Sequence, residues 1–411
     1  ARIAAHDQGN PVRRMMKKTA AYPFERFRLG EIADVVNGFG FPEYLQGKTN
    51  LPFPLVKVSD MNAPGAEVIV SLAANTVDRS ILEQIGGKTY PAGTIIFPKV
   101  GGALLTNKKR ILGVDAAFDN NVMGVVPRRA DGEWLYYWLL KLDLKTLANT
   151  QALPSIRQSD IANLLIDVPP LPEQRRIAAR LREQLAAVAQ AAAAVQAQFD
   201  AASDLPAVQL RATYTQTAQL PTCRLGDLLQ LRKEVVHPRD NPHGPAVFVG
   251  LEHVETLTGK RIGSVQVEMS QLTGRKPRFY AGDIVYGYLR PYLNKLWVAE
   301  FDGLCSVDQY VYEVNQAKAD TAFIAWFMRS PVYLERAPID TTPGQLPRIR
   351  TEEVASVEIN LPPLREQRAI VARLQSELAQ TTALKEALSA RKQALDHLPA
   401  ALLREAFAGR L

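Results

Sequence analysis

Two stretches of the chain place apolar side chains at helical spacing over an unusual length. From Ile177 the apolar positions run Ile177, Leu181, Leu185, Val188, Ala192, Val195 and Phe199, in steps of three and four that share one helix face. The second stretch, Ile370, Leu374, Leu378, Thr381, Leu384, Leu388, Leu395 and Leu398, gives nearly the same stripe. Pro172 and Glu173 suit a first helical turn, where a missing N–H is harmless and a carboxylate complements the dipole. A proline cannot continue the hydrogen-bond ladder, so Pro206 and Pro399 are expected to end the helices, each followed by a short one. A helix from Pro172 to Asp204 would hold about 33 residues and span roughly 50 Å. Such a helix can pack on its own domain. Two stripes of equal length predict instead that they pair, with Ile177, Leu181, Leu185, Val188, Val195, Ile370, Leu374, Leu378, Leu384, Leu388 and Leu395 at the interface.

Before each stripe the pattern shortens. TIIF at Thr94 and NVMGVV at Asn121 read as strands and EWLYYWLLKL at Glu133 as a buried helix. DIVYGYL at Asp283, QYVYEV at Gln309 and AFIAWFM at Ala322 occupy corresponding places further on. Glycines and prolines punctuate the rest. Both regions read as mixed α+β domains with long loops.

The correspondence is an internal repeat. PSIRQSDIANLLIDVPPLPEQRRIAARLREQL from Pro154 matches PRIRTEEVASVEINLPPLREQRAIVARLQSEL from Pro347 at an offset of 193, with sixteen of thirty-two positions identical. The offset carries Leu205-Pro206-Ala207 onto Leu398-Pro399-Ala400 without insertion. Upstream, RLGEI at Arg28 answers RLGDL at Arg224, and AGTIIF at Ala92 answers AGDIVY at Ala281, at drifting offsets. Loops have changed length there while the framework stayed. The division expected is a basic leader at 1–21, a variable domain at 22–152, a central helical segment at 153–216, a second variable domain at 217–345 and a C-terminal helical segment at 346–411.

Composition adds a partner class. Lys and Arg outnumber Asp and Glu by 49 to 42, a mild basic excess that suits an anionic partner. Basic and polar residues gather in the variable loops: Lys99, Thr106, Asn107, Lys108, Lys109 and Arg110 in the first, and Arg275, Lys276, Arg278, Tyr288, Arg290, Tyr292, Asn294 and Lys295 in the second. Lys57, and Gln151, Ser155, Arg157, Gln345 and Arg348 from the repeated loops before the long helices, complete the DNA-contacting candidates. Arg290 and Asn294 have the bidentate shapes that read guanine and adenine edges, and Lys108 and Lys109 suit phosphates. A solvated basic surface would account for these loops equally well.

Other chemistry lacks its residues. QGKT at Gln46 and GGKT at Gly86 have Pro42 and Leu82 where a phosphate loop needs glycine. His237, Asp240 and His243 are irregularly spaced among prolines, so no metal site is expected, and no nucleophile and base recur in both copies. Cys223 and Cys305 form no metal or disulfide pattern and fit a reducing cytoplasm. No membrane span is expected.

Two variable domains followed by PPLPEQRRIAARL and PPLREQRAIVARL resemble the specificity subunits of type I restriction–modification enzymes, as do FGFPEYLQG at Phe39 and PLVKVSDMN at Pro54. The resemblance implies a target-recognition domain in each copy, the long helices paired as an antiparallel coiled coil, and a bipartite double-stranded DNA target. It implies as partners two methyltransferase subunits carrying S-adenosylmethionine and restriction subunits carrying ATP, with no cofactor and no catalysis on this chain. The alternative is a DNA-independent helical scaffold whose two heads bind proteins.

Overall fold

The computed structural model describes residues 24–149, 153–341 and 345–410. They form two compact units: the described residues of Ala1–Ala193 with those of Gln393–Leu411 make one, and Ala194–Lys392 the other. Each unit takes a portion of both long helices, Leu171–Gln216 and Leu364–Ala406, rather than one variable domain with the helix that follows it.

In the first unit a five-stranded sheet runs Ala33–Asn37, Val122–Pro127, Ile95–Pro98, Arg110–Leu112, Ile69–Val70, beside a three-stranded sheet of Asn75–Val77, Phe53–Val56 and Ala117–Phe118. Ile95, Ile96 and Phe97 are all buried because the sheet is covered on both faces. Side chains alternate across a strand, so Ile95 and Phe97 enter one core with Trp134 and Leu135 while Ile96 enters another with Phe118 and Tyr90. The second unit repeats the device: Ile284 and Tyr286 join Phe323, whereas Val285 joins Trp297 and Val311. A four-stranded sheet there runs Leu229–Leu231, Gln309–Val314, Ile284–Gly287, Leu296–Val298, beside a five-stranded one.

Helix Gly132–Lys141 is apolar nearly all round and accordingly buried, and Asp131 caps it by accepting from the Glu133 and Trp134 N–H groups. Thr321–Arg329 is its counterpart, capped by Asp320. Gly132–Lys141 packs against Ile177, Ala178 and Leu181 at the start of the first long helix and Leu403 and Ala406 at the end of the second. In the other unit Phe323 and Phe327 meet Val371 and Leu374 from the start of the second long helix, and Leu210 and Tyr214 from the end of the first.

Two sequence expectations about these helices are corrected. Neither ends at its proline: Pro206 and Pro399 lie inside single helices of 46 and 43 residues. An internal proline costs roughly 3 kcal/mol. The turns beyond it bury Leu210 and Tyr214 in one helix and Leu403 and Ala406 in the other, and that packing keeps the helix going. Leu384, assigned to the apolar seam, is 45% exposed. The buried phase runs Leu374, Thr381, Leu388. Next to Leu384, the half-buried Lys385 places its ammonium over the Phe199 ring, 5.6 Å from the centroid.

Candidate nucleic-acid interface

The duplicated Glu-Gln-Arg motif is a structural joint. Gln174 is buried; its Oε1 accepts from the Asp131 N–H at 2.7 Å and its Nε2 donates to the Pro169 carbonyl at 2.8 Å. Gln367 does the same with the Asp320 N–H and the Pro362 carbonyl, both at 2.8 Å. Each glutamine thus ties the start of a long helix to the cap of its domain's apolar helix. Reading the motif as family signature alone missed this role, although a Gln repeated beside two prolines was the available signal.

A second duplicated set of bonds fixes the loop before each joint. In the first unit the Gly101 N–H donates to the Pro154 carbonyl at 2.7 Å, Ile156 N–H to Lys99 at 3.0 Å, and Asn149 and Ser155 exchange backbone bonds at 2.9 and 3.2 Å. In the second unit Arg290 donates to Pro347 at 2.7 Å, Ile349 to Tyr288 at 3.2 Å, and Asp340 and Arg348 exchange bonds at 2.9 and 3.1 Å. A strand end and a loop closed at its base are therefore built bond for bond in both units. The strand-end residues are Lys99, Val100 and Gly101 in one, Tyr288, Leu289 and Arg290 in the other.

The side chains on this common frame differ. Lys99 Nζ donates to Asn37 Oδ1 at 2.8 Å, and Asn37 Nδ2 donates to Gln158 Oε1 at 2.7 Å. Burial pulls the Lys99 ammonium below its ordinary value, opposed by the Asp119 carboxylate, which burial itself pushes up. At the equivalent place Tyr288 stacks on Tyr310 with centroids 4.5 Å apart and planes at 19°. Both phenols are raised, first by burial; Arg348 opposes at both rings and Arg275 at Tyr288. Arg275 and Tyr310 also line a cavity of about 240 Å³ with Arg232, Val235, Pro277 and Gln309. The Gln309 Oε1 accepts from the Ser306 N–H, while its Nε2 is buried without a partner among the described residues.

Not every basic loop residue faces outward. Lys109 is 1% exposed, its ammonium donating to the Leu142 carbonyl at 2.6 Å and Asn107 Oδ1 at 2.7 Å, so it cannot meet a phosphate as expected. Asn294, expected to read a base, is fully buried and donates to the Met328 carbonyl at 3.0 Å. Asn107 and Asn294 both adopt positive φ, 57° and 44°, where asparagine is tolerated, and tie their turns to the chain beyond the domain's apolar helix or to its last turn. Lys295 Nζ is drawn to the Leu251 carbonyl, Lys57 Nζ to Gln46 Oε1, and Thr106 Oγ1 to the Ala103 carbonyl. Lys276 lies 5.1 Å from the Phe248 ring centroid, Arg110 donates to the Lys109 carbonyl, and half-buried Arg278 pairs by its backbone with Glu234. Lys108 bonds Asn62 Oδ1 at the surface, and Arg157, Arg275, Arg290, Tyr292 and Gln345 are exposed. Gln151 lies outside the described residues. Among the described residues no helix is long and apolar enough to cross a membrane.

The backbone frame is thus duplicated in the two units, with unlike polar side chains at the matched strand ends. Residues 22–189 match the family described as the type I restriction modification DNA specificity domain. It is 26% identical over 312 residues to the type I restriction enzyme EcoDI specificity subunit of Escherichia coli, covering 67% of this chain and 69% of the relative. Among solved structures, one from a study of assembly and conformational transition in a type I system has a TM-score of 0.70 at 20% identity, covering 95% of this chain and 98% of that one. The HsdS subunit of Thermoanaerobacter tengcongensis has a TM-score of 0.61 at 21% identity, covering 95% and 97%. These two likenesses speak for the fold.

Proposed function

We propose that this chain is the DNA-reading subunit of a type I restriction–modification complex, each unit reading one half of a bipartite site. The observation that carries the reading is the backbone duplication at the strand ends with unlike side chains on it. Two half-sites of different sequence need one docking frame and two sets of reading groups. Arg275, Arg290 and Arg348 supply charge for phosphates and bidentate shape for guanine, and Tyr288 supplies a ring beside them. Lys99, Asn37 and Gln158 offer amide and ammonium groups at the other face.

The two long helices pair antiparallel as a coiled coil and hold the readers at a set spacing. The packing of each helix start with the other helix's end supports this pairing, as does the bond from Lys392 Nζ to Gln196 Oε1 at 2.6 Å. Two methyltransferase subunits bringing S-adenosylmethionine, and restriction subunits bringing ATP, dock on this frame, while the chain itself makes and breaks no bonds. Mapping methylated adenines across the genome with and without the chain tests the reading. The expected motif has two short defined halves around a fixed unread spacer and vanishes when the chain is removed. A continuous motif, or one that persists without the chain, overturns it.

A further inference from the structure

We infer that Leu153 and Leu346 are apolar wedges that enter the DNA base stack, one in each half-site; this rests on the DNA-reading assignment above. Both are large apolar side chains left in the open, 62% and 47% exposed. A single exposed leucine is ordinary on a protein surface. These two, however, sit at the same register of the repeat, 193 residues apart, each opening a Leu-Pro-x-Ile-Arg run.

Each leucine is backed by a rigid frame. The next residue is a proline whose carbonyl takes the 2.7 Å bond from Gly101 or Arg290, and the residue after that is bridged on both sides, Ser155 to Val100 and Asn149, Arg348 to Leu289 and Asp340. A side chain that must separate stacked bases needs such backing, since a leucine on a free loop would fold down onto the protein instead. Neither leucine belongs to a buried cluster of its unit. Gly101, at φ +70°, offers no side chain to cover Leu153, whose Cδ1 is 4.0 Å from where a Cβ would stand.

The surroundings favour nucleic acid over an apolar protein surface. Arg157 follows the first leucine in the same loop and Lys99 lies on the strand end that the loop is bonded to; Arg348 and Arg350 follow the second, with Arg290 on its strand end, so each loop carries basic residues close by in the chain or across the backbone frame. That is the arrangement by which leucine wedges enter base steps while basic groups hold the phosphates on either side. The two wedges would partly unstack one step in each half-site and kink the duplex there.

The test uses the full chain assembled with its methyltransferase subunits on the duplex defined by methylation mapping, with 2-aminopurine placed at successive positions. Enhanced fluorescence is expected at one step per half-site. Leu346→Ala should abolish it in one half and leave the other, Leu153→Ala should do the reverse, and Leu346→Met, of similar volume, should keep it. Each alanine variant should weaken DNA binding about tenfold with an unchanged salt slope, because no charge is lost. Fluorescence that survives both alanine changes, or is absent at every step while specific binding persists, overturns the wedge and leaves the DNA-reading assignment standing. Loss of methyltransferase assembly with a normal DNA signal would also overturn it, assigning the leucines to a protein contact. A complex with no specific duplex binding would overturn both.

Discussion

At the scale of single residues, cations in these loops separate into those that hold the protein together and those free to meet an anion. Lys109 and Arg275 represent the two kinds. Replacing Lys109 by Ala leaves the Leu142 carbonyl without its side-chain donor and Asn107 Oδ1 with the Leu144 N–H alone, which should cost about 1–3 kcal/mol in urea unfolding and leave the salt dependence of DNA binding unchanged. Exposed Arg275→Ala should change stability by less than about 0.5 kcal/mol and lower the salt slope by about 1. An unchanged slope would remove Arg275 from the phosphate face. Burial depresses the Lys109 ammonium to about 8, with Asp143 opposing. The folded chain therefore releases this proton before the unfolded chain does, and stability gains with rising pH between about 8 and the ordinary lysine value. Lys109→Met should flatten that gain in unfolding measured across the window.

At the scale of elements, the buried glutamines hold the joint between each domain and its long helix. Gln174→Ala leaves the Asp131 N–H and the Pro169 carbonyl unpaired inside the protein, a loss of about 1–3 kcal/mol. Amide hydrogen exchange should then quicken along Gly132–Lys141 and stay unchanged along Thr321–Arg329; Gln367→Ala should do the opposite. Quickening in both helices from one substitution would show that the joints are not local. The elements themselves were largely legible: the strands at Thr94, Asn121 and Gln309 and the apolar helix at Glu133 follow from period and composition. What period could not give was where Pro206 and Pro399 stand, because proline's local penalty is offset by tertiary packing further along the chain. Nor could it give Lys109 and Asn294. Both lie in polar loops, yet one folds its ammonium and the other its amide against backbone carbonyls from the domain's apolar helix and its end.

At the scale of the whole molecule, the two units have separate cores, so on the proposed DNA-reading role specificity should be modular. The first unit's frame depends on contacts that any exchanged domain must keep. Trp134 meets Phe407 with ring centroids 5.8 Å apart, Ile177 and Leu181 pack under the apolar helix, and Asp131 bonds Gln174. A domain from a relative that supplies an aromatic and an aspartate at those places should seat on the existing helices. Exchanging residues 22–152 on that basis should change one half of the methylated motif and leave both the other half and the spacer as they were, since neither Tyr288, Arg290 and Arg348 nor the long helices are touched. Methylome sequencing of cells carrying the exchanged chain reads all three features at once, and thermal unfolding of the purified chain checks that the new core has formed. A motif altered in both halves would mean that the two readers are coupled. An unaltered motif from a well-folded exchange would mean that the Lys99 face does not read DNA.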